Sequence, residues 1–239
     1  MSNAKGGLTE DEYWRIFHAV RGDIETAIKN NSGYWKINNI ARDNPKVFEK
    51  YNQHAHFWTL TSYALQSTFF ISFGRIFDER RDVFSVQKLV DATIKNPAFF
   101  SKAALRLRKR GFSQIHGADP QWLIDYVNGA WEPTTSSDLR ELKTALAPHH
   151  QKFRAIYQPI RHAYFAHRGT ASEEAIHALF QKTLVSEVSE ILRFLHTLIY
   201  SIDQMAINGR PLDLTDFRDY DNWVKSLDKQ IEDFVNALI

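Results

Sequence analysis

Residues 57–77, FWTLTSYALQSTFFISFGRIF, form a long apolar stretch in the 239-residue chain. From Thr59 to Phe73 the stretch contains no charged residue. A helix without a charged face is typical of the interior of a helical bundle. We therefore predict a central helix that begins near Asn44 and is buried on most sides.

Helical spacing of apolar residues extends to both sides of this stretch. Thr9 is a good N-cap because its hydroxyl can accept a backbone N–H of the first turn. Acidic residues follow it there, where the helix dipole favours negative charge. Pro148 and Pro159 are expected to kink the helix that contains them or to reset its start, and Gly169 is the expected C-cap. The further long helices are predicted at residues 9–33, 137–169, 172–207 and 215–238.

Between these helices, residues 80–136 are predicted to be a helical insertion packed on one side of the bundle. Apolar residues are grouped there in three short pieces, joined by Gly and Pro, at residues 85–94, 97–110 and 120–128. Residues 8–239 are expected to form one domain, because typical domains contain ~100–200 residues. Residues 1–7 are small and polar, and we set them aside as a disordered N-terminus or a tag.

Composition excludes several classes of protein. The chain contains only 10 Gly and 7 Pro, too few for the many tight turns of a β-sandwich. With no Cys, a disulfide framework and a thiolate metal site are excluded. No signal peptide, membrane span, phosphate loop or HExxH motif occurs. We expect a cytoplasmic all-α protein that binds neither a cofactor nor a metal and does not associate with membranes.

Residues 159–169, PIRHAYFAHRG, carry two arginines and two histidines at the expected end of a helix. Cations in a last helical turn are stabilised by ~0.3–1 kcal/mol each. Capping of the helix therefore explains part of this pattern without any function. An arginine with a histidine also suits RNA cleavage, because histidine can transfer a proton and arginine can hold a phosphate.

The spacing of Arg161, His162, Ala166 and His167 resembles the signature of the HEPN superfamily, written Arg-polar-x-x-x-Ala-His. A second block, FGRIFD at residues 73–78, is similar to the end of the second helix in AbiU-like abortive-infection proteins of this superfamily. A Ser-Val-Gln-Lys-Leu-Val helix start follows it at residues 85–90.

The resemblance implies an antiparallel HEPN-type bundle, with a helical insertion and an extra C-terminal helix here. It also implies a metal-independent endoribonuclease used in phage defence or as a toxin. His167 would be the general acid or base, Arg161 would clamp the scissile phosphate, and His162 would orient the site or bind substrate. Expected partners are RNA and an antitoxin or other defence protein. The alternatives are a non-catalytic HEPN module that binds nucleotide, RNA or protein, and a helical dimerisation protein.

Arg161 and His167 do not converge on an ideal α-helix. Six residues at ~100° each place them about 120° apart around the axis and ~9 Å along it. Two facing copies of the motif would bring such groups together, and the resembling proteins build their cleft in this way. We therefore expect a homodimer.

Other charged residues have both a structural and a functional interpretation. Lys102, Arg106 and Lys109 share a helical face and, with Arg168, are candidate RNA contacts. A solvated helix face is the alternative. Arg75 and Asp78 are spaced for a local salt bridge. In the functional interpretation, Arg75 and Asp78 support the helix that carries Arg161 and His167.

Overall fold

The computed structural model describes residues 7–166 and 172–237. All regular structure in these two ranges is helical, which confirms the all-α prediction. The α-helices are α1 (Glu10–Asp43), α2 (Pro45–Gln53), α3 (Ala55–Ile76), α4 (Val86–Lys95), α5 (Lys102–Phe112), α6 (Gln121–Gly129), α7 (Glu141–Lys152), α8 (Gln158–Ile160), α9 (Glu173–Phe180), α10 (Val185–Asn208) and α11 (Arg218–Asn236).

Helix α1 begins as predicted but continues ten residues further than expected. Its first turn is closed by a capping box, in which Thr9 and Glu12 bond each other's backbone N–H. The predicted end at residues 30–33 is wrong. Gly33 is buried where α1 packs on α3, and a Cβ there would be in ordinary van der Waals contact with Leu65, 3.6 Å from Cδ2. Gly33 therefore lies inside the helix and does not end it.

Helix α3 is only partly the buried central helix that we predicted. Its C-terminal half is in the core, with Phe73 fully buried. Its N-terminal half is not, since the exposed fractions are 60% for Phe57, 66% for Leu60 and 50% for Tyr63. The absence of charged residues thus predicts that a helix lies in an apolar environment. It does not predict whether that environment comes from the same chain or from another molecule. The predicted start near Asn44 belongs to α2, because a break at His54 separates α2 from α3.

The core is built around the second half of α3. The Phe73 ring is 5.1–5.5 Å from four aromatic rings, those of Phe69, Phe77, Phe153 and Tyr157. Helix α10 contributes a buried face from Val188 to Ala206. The predicted helix at residues 172–207 is divided into α9 and α10 by residues 181–184.

The chain from Glu141 to Ala166, which we call the motif helix, is not a regular α-helix. Two π-helical turns, Phe153–Tyr157 and Arg161–Ala166, flank the short α8. Pro159 lies in α8, and its ring would clash with the carbonyl four residues earlier in a regular helix. The expected disturbance at Pro159 is confirmed. The expected interruption at Pro148 is wrong, since α7 continues through it with Leu142 and Leu146 anchored in the core.

The short helices of the insertion are found where they were predicted. Helices α4, α5 and α6 correspond to the pieces at residues 85–94, 97–110 and 120–128. A 3₁₀ turn at Pro97–Phe100 precedes α5. The C-cap predicted at Gly169 lies outside the described residues.

Candidate functional site

The site is formed where the motif helix crosses the end of α3. Arg161 lies over Gly74, and a Cβ at position 74 would overlap Nε and Cδ of Arg161 and come 2.9 Å from Cζ. Gly74 is buried inside α3. The absence of a side chain at this position therefore creates the space that the Arg161 side chain fills.

A cavity of about 680 Å³ opens beside this contact. We call it the motif cavity. One wall comes from the end of α3 and the loop after it, and the other comes from the motif helix. The lining residues are Gly74, Phe77, Asp78, Glu79, Arg80, Phe153, Gln158, Arg161 and His162.

The charged side chains of the motif cavity differ in their hydrogen-bond partners. Arg80 binds the Asp78 carboxylate with Nη2 2.9 Å from Oδ2. Hydrogen bonds from Arg80 hold the pKa of Asp78 below its ordinary value, and the Arg161 charge lowers it further. Arg161 Nε is buried and has no hydrogen-bond partner within the described chain. A buried donor of this kind gains free energy when an acceptor reaches it.

Of the two motif histidines, the structure describes His162. His162 is exposed and lines the motif cavity beside Arg161. His167 and Arg168 lie outside the described residues, so their predicted roles stay predictions. The turn from Arg161 to Ala166 is π-helical, so the geometry of an ideal α-helix does not describe these six residues.

The predicted support residues Arg75 and Asp78 are not paired with each other. Arg75 Nη1 lies 3.7 Å from Oδ1 of Asp23 on α1. Asp78 is bound by Arg80 and lines the motif cavity. The local Arg75–Asp78 salt bridge is therefore a wrong expectation. Asp78 keeps a place at the site, whereas Arg75 joins α3 to α1.

The basic run of α5 makes many internal contacts. Lys102 Nζ donates to the Asn128 carbonyl at 2.8 Å, and Lys109 Nζ donates to Asn208 Oδ1 at 3.1 Å. Arg106 is paired with Asp119. These contacts connect α5 to α6, to the loop before it and to the end of α10. The RNA contact predicted for Lys102, Arg106 and Lys109 would have to compete with them.

Sequence reasoning missed three groups of the motif cavity. Gly74 was recognised only as part of the FGRIFD block, although a glycine inside an apolar helix is itself a signal of close packing. Glu79 and Arg80 were not assigned a role. Their position directly after a motif block was the available signal, but it does not show that the motif helix faces them.

In residues 7–166 and 172–237, no group of three or more His, Asp or Glu side chains is arranged to hold a metal ion. Within the same ranges, no helix is long and apolar enough to cross a membrane.

The fold and the motif cavity thus define an all-α bundle with an Arg-His motif helix crossing an aromatic core. The family model HEPN_AbiU2, described as AbiU2, matches residues 10–225. The chain belongs to this family and is a defence-related HEPN module. Comparison with curated proteins and with solved structures gives no match.

Replacing Gly74 by Ala should displace Arg161, because the new methyl group occupies the space of its side chain. We expect a loss of ~1–3 kcal/mol in the free energy of unfolding, as for other overpacked sites. Urea denaturation measures it. Gly22→Ala is the matched control, since Gly22 is also in a helix and a Cβ there meets nothing within 4 Å. This control should be neutral or stabilising by up to ~1 kcal/mol. Equal effects of the two substitutions would contradict the packing role of Gly74.

Replacing Lys102, Arg106 and Lys109 together by Gln tests the basic run. Because these side chains connect α5 to its neighbours, we expect a lower melting temperature and a small change in the salt dependence of RNA binding. Thermal denaturation and binding across a salt series measure the two effects. A salt slope reduced by about one unit for each lysine or arginine removed, with unchanged stability, would instead support direct phosphate contacts.

Proposed function

We propose that this protein is a metal-independent endoribonuclease that acts in phage defence or as a toxin. The observation that carries the proposal is the Arg161 side chain, held over Gly74 at the edge of the motif cavity with a buried, unsatisfied Nε. A phosphate is the acceptor that best suits a guanidinium, because its oxygens match the arrangement of the N–H donors.

The proposed reaction uses the RNA's own 2′-hydroxyl. Its oxygen forms a bond to the adjacent phosphorus while the bond from phosphorus to the 5′-oxygen breaks. His167 of one copy takes the proton of the 2′-hydroxyl, and the protonated His167 of a second copy of the chain gives a proton to the leaving 5′-oxygen. Arg161 stabilises the negative charge that develops on the phosphate. His162 lines the same cavity and orients the substrate, and the products end in a 2′,3′-cyclic phosphate and a 5′-hydroxyl.

We further propose that two copies of the chain form the working enzyme. The exposed apolar residues Phe57, Leu60 and Tyr63 lie on one half of α3. Tyr63 also reaches the motif helix, where its ring is 6.5 Å from that of Phe165. An apolar surface that continues to the motif helix would place two motifs near each other in a symmetric dimer.

The defence role implies control of this activity. An antitoxin or another defence protein would have to keep a ribonuclease inactive in the cytoplasm, where its RNA substrates are. The non-catalytic alternative, a HEPN module that binds nucleotide, RNA or a protein partner, uses Arg161 only to capture an anion.

Purified protein should cleave RNA in the presence of EDTA, with a pH dependence in the histidine range. His167→Ala and Arg161→Ala should each abolish cleavage, because one removes proton transfer and the other removes charge stabilisation. The products are identified by mass spectrometry of the RNA ends. Strict dependence on Mg²⁺, or products with 5′-phosphates, would exclude this mechanism. Binding of RNA without cleavage under all conditions would favour the non-catalytic alternative.

Light scattering coupled to size-exclusion chromatography should give the mass of a dimer. Leu60→Glu should produce a monomer and abolish cleavage, because the charge disrupts the apolar face of α3. Leu107→Glu is the control, since Leu107 is similarly exposed but lies on α5 of the insertion. A monomeric parent protein that cleaves RNA at a normal rate would contradict the two-copy arrangement.

A further inference from the structure

A second cavity lies beside the motif cavity along the motif helix. It measures about 410 Å³ and is lined by Gln87, Lys143, Ala147, His150, Gln151, Arg154 and Ala155. We call it the side cavity. Lys143, His150 and Arg154 of the motif helix line the side cavity, and Gln158 and Arg161 of the same helix line the motif cavity. Both cavities therefore open along the motif helix.

Glu79 separates the two cavities. Its side chain lines the motif cavity, yet its Oε1 lies 3.3 Å from His150 Nε2 and 3.5 Å from Arg154 Nη1, in the side cavity. The stacked rings of Phe77 and His150, 5.7 Å apart, complete this boundary. One carboxylate thus holds two nitrogen donors of the neighbouring cavity.

This contact is loose and easily opened. Both distances exceed the ~2.7–2.9 Å of a good charge-assisted hydrogen bond. The Glu79 and Arg154 side chains are each more than half exposed, so the carboxylate can turn into solvent at little cost. An anion with more acceptor oxygens than a carboxylate could bind both donors instead.

Arg154 is also well placed relative to Arg161. Arg161 follows Arg154 by seven residues on the motif helix, and Glu79, which contacts Arg154, lines the motif cavity together with Arg161. An RNA strand that runs along the motif helix would pass both arginines. Gln158 lies between them in the chain and lines the motif cavity, whereas Gln151 precedes Arg154 and lines the side cavity. Both side chains can offer further hydrogen bonds to the strand.

We propose that Arg154 and His150 bind an RNA phosphate that neighbours the one at Arg161, and that Glu79 occupies this phosphate position in the RNA-free protein. The inference rests on the ribonuclease function proposed above and adds the path of the strand. Glu79 is then a competitor of RNA, and Arg154 is a binding residue outside the reacting centre.

The two residues should have opposite effects on RNA affinity. Glu79→Gln keeps the size of the side chain but removes its charge, so RNA should bind several-fold more tightly. Arg154→Gln should weaken binding by about tenfold and reduce the salt slope by up to about one unit. In the double variant, the gain in RNA affinity from Glu79→Gln should disappear, because Arg154, the group for which Glu79 and RNA compete, is gone.

Binding is measured by fluorescence anisotropy with a labelled oligoribonucleotide, in a His167→Ala background so that the RNA stays intact. Arg42 and Asp43 provide a charge-matched control pair. They form an exposed ion pair of 2.8 Å at the C-terminal end of α1. Asp43→Asn and Arg42→Gln change the net charge equally and measure the general electrostatic effect alone.

Two results would overturn the inference. One is that Glu79→Gln changes RNA affinity no more than Asp43→Asn does. The other is that the gain in RNA affinity from Glu79→Gln persists when Arg154 is also replaced. If the unmodified protein still cleaves RNA in EDTA, either result removes only the proposed strand path. If it neither cleaves nor binds RNA, the ribonuclease function itself fails, and the strand path fails with it.

Discussion

The fit of the Arg161 side chain over Gly74 is the constraint on which the site depends. A guanidinium is costly to bury unless its charge is used or compensated. Here Asp78 is close enough for the Arg161 charge to lower its pKa, but the hydrogen bonds of Asp78 come from Arg80. Arg161 is thus held by shape and by a nearby charge, and its buried Nε has no acceptor among the described residues. The same residue lines the motif cavity.

The aromatic core makes this fit possible. Phe73, which is adjacent to Gly74, packs against rings from α3 and from the motif helix. These contacts fix the position along α3 at which the two helices cross. Two π-helical turns lie on either side of Pro159, and the second begins at Arg161. π-Helical turns are uncommon and are frequently found at functional sites. Core packing and site geometry are therefore consequences of the same contacts.

Charge is distributed differently in the insertion and along the motif helix. In the insertion, Arg108 donates to the carbonyls of Ala206 and Phe99, and Arg110 is paired with Asp119. Arg108 thus joins α5 to α10 and to the 3₁₀ turn before α5, and Arg110 joins α5 to the loop before α6. Along the motif helix, Arg154 and Lys143 remain mostly exposed and have single acidic partners. The density of basic residues in a sequence is thus a weaker guide to an anion site than the number of internal bonds each residue makes.

Local properties of the sequence determined the class of the fold and the position of the motif. Helical periodicity, the cap at Thr9 and the spacing from Arg161 to His167 depend on residues within a few turns of each other, so they could be read directly. The tertiary structure decided what depends on distant neighbours. Gly33 lies inside a helix that packs against α3, and Leu60 is exposed because none of the described residues covers it. Gly74 and Arg161 meet only because two helices cross there, and no local pattern in the sequence records that crossing.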